Sequence, residues 1–277
     1  MKTTITFKQI NKLAIPALIS GVSEPILSLT DAAIVGNIQF NATESLAAVG
    51  IVTTFLSMLI WILGQTRSAI SSLVSQYLGA NNLDAIKTLP AQAILLITSL
   101  SIVIIILTYP FAEYIFKLYN ASDIILDYSV NYYRIRVFGF PFTLFTIAVF
   151  GTFRGLQNTF YPMIIAIVGT VINIVLDVIL VYGIEGILPA MHIEGAGYAS
   201  VIAQLIMALL SIYYLLVKTT FSLKVSLTLN KEIKTFSLMI LNLFVRTLAL
   251  NITLYYASAF STSYGKEYIA AYTIAIN

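Results

Sequence analysis

Five stretches of this chain run the thickness of a membrane without an Asp, Glu, Lys or Arg: Ser45–Thr66, Thr88–Ala112, Gly155–Leu176, Gly195–Val217 and Thr247–Gly265. As helices rising 1.5 Å per residue, each can cross a hydrocarbon core of about 30 Å. Residues 10–36 and 124–153 are as apolar but carry charges, which marks them as crossings that face protein or water rather than lipid. Helices are predicted over 10–36, 45–78, 88–116, 124–153, 159–183, 195–217 and 235–262, with an eighth starting near Ile269. The fold class expected is an all-α integral membrane protein with about seven to eight crossings. Only 10% of the 277 residues are charged and the mean hydropathy is +0.92, against about 25% charged in soluble domains.

The same composition excludes most other functions. There is no cysteine and one histidine, His192, so disulfides, thiol nucleophiles and Cys/His metal sites are not expected. The net charge of +3 is spread through loops and forms no stripe of the kind that binds nucleic acid. No GxxxxGK phosphate loop occurs, and no acid, base and nucleophile stand at catalytic spacing. No catalytic residue, metal or cofactor is therefore expected, and the energy source would be an ion gradient of H+ or Na+.

Lysines and arginines set an orientation. Lys2, Lys8 and Lys12 precede the first helix, Lys87 and Arg154 fall in alternate loops, and Lys218, Lys224, Lys231 and Lys234 follow the sixth helix. The remaining loops hold mainly Glu44, Asp123, Glu185, Glu194 and Glu267. The positive-inside rule places the N-terminus in the cytoplasm of a multi-pass cell-membrane protein. The first helix is too long, and too charged at Glu24 and Asp31, to be a cleaved signal peptide.

A repeat organises the chain. Glu44-Ser-Leu-Ala-Ala-Val-Gly-Ile resembles Glu267-Tyr-Ile-Ala-Ala-Tyr-Thr-Ile at an offset of 223 residues, which also brings Lys8 onto Lys231. Six helices then form one unit and a second, parallel unit begins. The domains expected are a six-helix lobe over 1–217, a basic cytoplasmic linker over 218–234 and an incomplete lobe over 235–277. The chain is expected to break off inside that second repeat.

A charge at the bilayer centre costs about 2.5–3.5 kcal/mol, so intramembrane ionisable groups are functional candidates. Asp31 in the first helix and Asp177 in the fifth both fall roughly 8 to 9 Å below the same membrane face at 1.5 Å per residue. Asn173 lies one turn from Asp177 on the same face. A carboxyl among apolar groups favours its neutral form, so either aspartate can trade a proton for a cationic substrate, the simplest basis of antiport. The alternative is that they only bond neighbouring helices. Glu24 and Arg246 have similar depths and are expected either to pair or to face a water-filled cleft. Pro16 and Pro25 remove two backbone hydrogen bonds from the first helix, giving a gate or a passive kink. Tyr109, Tyr114, Tyr119, Tyr128, Tyr132 and Tyr133 read as an interfacial aromatic belt, and Gly151-x-x-x-Gly155 and Gly195-Ala-Gly197 as close helix contacts.

Taken in order, Leu13-Ala-Ile-Pro16, Leu29-Thr-Asp31-Ala-Ala-Ile-Val-Gly36, Leu46-Ala-Ala-Val-Gly50, Gly151-Thr-Phe-Arg154-Gly155, Asn173-Ile-Val-Leu-Asp177, Gly195-Ala-Gly-Tyr-Ala-Ser200 and Leu241-Asn-Leu-Phe-Val-Arg246-Thr-Leu resemble multidrug and toxic compound extrusion (MATE) transporters of the DinF-like branch. The resemblance implies a twelve-helix antiporter of two six-helix lobes that exports cationic amphipathic compounds for protons or sodium from the bacterial inner membrane. It assigns proton or cation coupling to Asp31, Asn173 and Asp177, bending to Pro16 and a hydroxyl of the polar network to Ser200. Pro25 and Glu24 fall outside the pattern. The C-terminal half would be missing, and lipids and small-molecule substrates would be the partners. Two other readings are a lipid-linked-precursor flippase, whose cavity should hold several basic residues where only Arg246 is evident, and a fragment that transports nothing.

Overall fold

The computed structural model describes residues 6–223 and 228–263 and forms two compact units, Met1–Ile233 and Lys234–Asn277. In the first, α1 (Phe7–Val35) runs unbroken through Pro16 and Pro25. It starts where the Thr6 amide donates to Gln9 Oε1 at 2.9 Å. The remaining helices are α2 (Ala42–Leu63), α3 (Thr66–Gly79), α4 (Leu89–Thr108), α5 (Ala112–Leu118), α6 (Asp123–Arg136), α7 (Phe140–Gly155), α8 (Phe160–Tyr182) and α9 (His192–Lys218). In the second unit α10 spans Ile233–Ser263. The eighth predicted helix and Glu267 lie outside the described residues.

Three predicted helices are interrupted, each for a local reason. Residues 45–78 divide at Gly64-Gln65, where Arg67 N and Ser68 N bond three residues back to Gly64 O and Gln65 O and tighten the turn. Residues 88–116 divide before α5 at Pro110, which has no amide to continue the ladder. Residues 124–153 divide at a 3-10 turn, Val137–Gly139, ahead of Pro141.

Seven helical segments are long and apolar enough to cross a membrane, with α2–α3 and α6–α7 each making one. Within the first unit α8 packs between α1 and α9, α9 also meets α6 and α7, α7 lies on α3 and α4, and α2 lies on α6. Close approach depends on small residues. A Cβ at Gly195 would sit 2.6 Å from the Leu180 carbonyl carbon, and one at Gly151 2.7 Å from the Arg67 carbonyl oxygen. The predicted glycine contacts are therefore real, joining α8 to α9 and α3 to α7.

The aromatic belt needs correction at two positions. Tyr132 and Tyr133 are fully buried, and Tyr133 packs edge-on against Phe55 and Phe116 and bonds the Thr108 hydroxyl. The segment after α9 is tied to the helices. Asn230 N donates to Gln92 Oε1 at 2.9 Å, Gln92 Nε2 to Thr228 O at 2.9 Å, and Tyr77 Oη to Glu232 Oε1 at 2.9 Å.

Candidate functional site

Asp31 sits one turn before the end of α1, and Asn173 and Asp177 are one turn apart on α8. Because α1 packs on α8, the two carboxyls reach hydrogen-bonding distance of each other. A hydrogen bond between two carboxyl groups requires one of them to carry a proton. Asp177 is fully buried, and its Oδ1 has no hydrogen-bond partner among the described residues. Asn173, 1% exposed, links the pair to α9. With its amide oriented to satisfy both ends, Nδ2 donates to Asp31 Oδ1 at 3.2 Å and its oxygen accepts from the Ser200 amide at 3.1 Å. The opposite orientation gives only a 3.5 Å contact to Ser200 Oγ. Sequence spacing pointed to Asp31, Asn173 and Asp177 and the family resemblance added Ser200, and the fold brings the four together.

Two neighbours were not read from the sequence as members of the site. On α6, Tyr132 and Arg136 stand one turn apart, and the Arg136 guanidinium reaches the Tyr132 hydroxyl while lying in charge-interaction range of both carboxyls. The signal was present, since an arginine inside a predicted crossing is itself a candidate. Only α6–α9 packing shows that it faces Asp31 and Asp177.

The cluster opens through Asn173 and Ser200 onto a cavity of about 480 Å³ inside the first unit. Three guanidiniums, Arg67, Arg136 and Arg154, line it, and among the described residues no carboxylate does. Arg67 and Arg154 reach it from the facing helices α3 and α7. Arg154, read from sequence as a loop residue that sets orientation, is in the last turn of α7. Among the described residues no carboxylate is at ion-pair distance from Arg67 or Arg136. Ser20, Ser23 and Leu27 of α1 also face the cavity, whereas the Glu24 side chain lies outside the described residues. Arg246 is exposed on α10 in the second unit. Pro16 and Pro25 do not break α1. No group of His, Asp and Glu able to hold a metal occurs among the described residues.

The arrangement defines a class, an all-α membrane protein with a buried carboxyl pair beside a polar cavity. The MatE family model matches residues 16–179, and the chain belongs to that family, the MATE transporters. It is 31% identical over 202 residues to DNA damage-inducible protein F of Escherichia coli (strain K12), a match covering 73% of this chain and 42% of that one. It is 27% identical to the probable multidrug resistance protein YoeA of Bacillus subtilis (strain 168), covering 76% and 44%. The Vibrio cholerae MATE transporter VcmN in its bent form superposes with a TM-score of 0.84 at 19% identity, covering 96% of this chain and 59% of that one. The chain spans less than half the length of these curated relatives.

Proposed function

We propose that this chain carries the coupling lobe of a secondary active exporter, in which Asp31 and Asp177 take up protons from one side of the membrane and release them to the other. The observation that supports this most directly is the carboxyl pair itself, which can hold one proton between its members and has an open acceptor at Asp177 Oδ1. An organic cation drawn to the pair would favour proton release, so cation and proton would exclude each other, as antiport requires. Sodium is the alternative coupling ion. The names of the relatives, multidrug resistance proteins among them, agree with export, and the lysine distribution agrees with a cytoplasmic N-terminus. The test is efflux driven by an imposed pH gradient in membrane vesicles containing the protein. Asp31→Asn is expected to abolish it with the protein still folded and inserted, and undiminished efflux would remove Asp31 from coupling.

A second reading is favoured by one specific observation. The flippase alternative calls for a basic cavity, and three arginines, Arg67, Arg136 and Arg154, line the cavity of the first unit. Transport of a compound with an anionic group therefore stands beside cation export.

A further inference from the structure

We propose that Tyr182 is a positioning residue of the carboxyl pair: its hydroxyl clasps the last turn of α1 to the end of α8 and keeps Asp31 within reach of Asp177. Thr159 makes the matching tie at the opposite end of the two helices. The inference rests on the reading of Asp31 and Asp177 as the coupling site and adds the group that holds them together.

Both ties are well-formed hydrogen bonds to α1 carbonyls. Tyr182 Oη donates to the Ile34 carbonyl oxygen at 2.8 Å, and Thr159 Oγ1, at the N-cap of α8, donates to the Leu13 carbonyl oxygen at 2.8 Å. At 1.5 Å per residue the tied positions are about 31 Å apart along α1 and about 34 Å apart along α8, so the two bonds brace the helices near opposite membrane faces. Ile34 is in the last turn of α1, where carbonyls lack a helical amide to accept from. Its other bond, from the Asn37 amide, is long at 3.3 Å. Most of α1 is exposed or half-buried in the first unit, and apolar surface in lipid gives helices no net drive to associate. Hydrogen bonds therefore matter more in holding α1 against α8 than they would in water.

The two ties differ in what they can control. Ile34 lies three residues after Asp31 and Tyr182 five after Asp177, whereas Leu13 is five turns from Asp31. The Tyr182 bond alone is close enough to set the reach of the pair. When both carboxyls are ionised their like charges repel, which pushes the two helix ends apart, and the clasp opposes that motion. Arg136 and Tyr132 of α6 face the pair, and α9 meets it through Ser200. The one charged residue of α2, which also packs on α1, is Glu44 in its first turn. Glu24 is two turns back on α1, with its side chain outside the described residues. All of these stay in place when Tyr182 loses only its hydroxyl.

The chain has no cysteine, so engineered pairs carry spin labels at defined places. Leu29→Cys with Val178→Cys reports the Tyr182 end, and Leu18→Cys with Ile167→Cys reports the other part of the α1–α8 groove; all four residues are exposed. Distances are read by double electron–electron resonance on the full chain in phosphatidylcholine vesicles at about pH 5 and about pH 9, a range that spans ionisation of buried carboxyls. In the otherwise unaltered chain the first distance is expected to hold at both values. In Y182F it should lengthen at the higher pH by about 3 Å, the space of a water entering the lost bond, with the second distance unchanged. T159V should move the second distance and leave the first. In Y182F with D177N the repulsion is gone, and the first distance should again hold at both values. Circular dichroism confirms that each variant is helical. A first distance that stays fixed in folded Y182F, that moves as far in T159V, or that stays long in the double variant would overturn the clasp. Should Y182F fail to fold, the unaltered chain still decides, because a first distance that widens with pH while the hydroxyl is present overturns it too. Distances that respond as expected in a chain without pH-driven efflux would remove the coupling reading and leave the clasp. Intact efflux with unmoved distances in Y182F would remove the clasp alone.

Discussion

Asn173 holds the cluster together because its amide can face a carboxyl of α1 with one end and the backbone of α9 with the other. Replacing it with leucine leaves Asp31 without that donor and puts an apolar group against two carboxyls. A lost hydrogen bond to an ionisable group costs about 1.5–3 kcal/mol, so Asn173→Leu is expected to lower the thermal unfolding midpoint and to impair pH-driven efflux. Ser200→Ala should do much less, since the favoured amide orientation uses the Ser200 backbone and not its hydroxyl. Comparing the two variants in one melting series checks this, and equal losses would show that the hydroxyl matters more than the geometry indicates. Arg136, like Arg67, is an arginine inside a predicted crossing that sequence reasoning passed over. It lies in a helix segment with other charges, Asp123, Asp127 and Arg134, and position along the chain does not separate the solvated ones from the one turned inward.

At the scale of elements, glycine decides how near α8 and α9 approach. A Cβ at Gly195 would meet the backbone of Leu180 and Val181 at 2.6–2.9 Å, and backbone cannot swing aside as a long side chain can. Gly195→Val is expected to destabilise the unit by about 1–3 kcal/mol, the usual cost of overpacking, and to shift Asp177 away from Asp31. Gly50 in α2 has nothing within 4 Å of the place a Cβ would take, so Gly50→Ala should be neutral or stabilise by up to about 1 kcal/mol through helix propensity. Thermal unfolding in detergent measures both. The tie between Asn230 and the α4 region makes a separate prediction. Asn230→Ala should speed amide hydrogen exchange over residues 228–232 without changing it in α8.

For the whole molecule, the two proposed kinds of cargo differ in the sign of their pH dependence. A cation at the carboxyl pair competes with protons, so it should bind more tightly as pH rises. An anion beside Arg136 is repelled less when the pair is protonated, so it should bind more tightly as pH falls. Arg67, Arg136 and Arg154 line the cavity together with Trp61, the single tryptophan of the sequence, Asp31 and Asp177 adjoin it through Asn173, and Tyr132 is the titratable neighbour of Arg136. Trp61 fluorescence with dodecylsulfonate and dodecyltrimethylammonium, whose charges are fixed, should show opposite slopes between about pH 5 and 8. Both slopes should flatten in the Asp31→Asn, Asp177→Asn double variant. Parallel slopes would mean that neither ligand senses the pair.

Sequence alone determined seven crossings, the family, and Asp31, Asn173 and Asp177 of the cluster, because each leaves a local trace. An uncharged run has no other stable home than lipid or a large core, and Asn173-x-x-x-Asp177 shares a helical face whatever surrounds it. Tertiary structure decided what depends on helices meeting. It set the reach between Asp31 and Asp177, buried Tyr132 and Tyr133 where a surface belt was expected, and gathered Arg67, Arg136 and Arg154 from three helices around one cavity. Those outcomes follow from interhelical packing, where residues distant in the chain share a dielectric and a charge field that no single segment encodes.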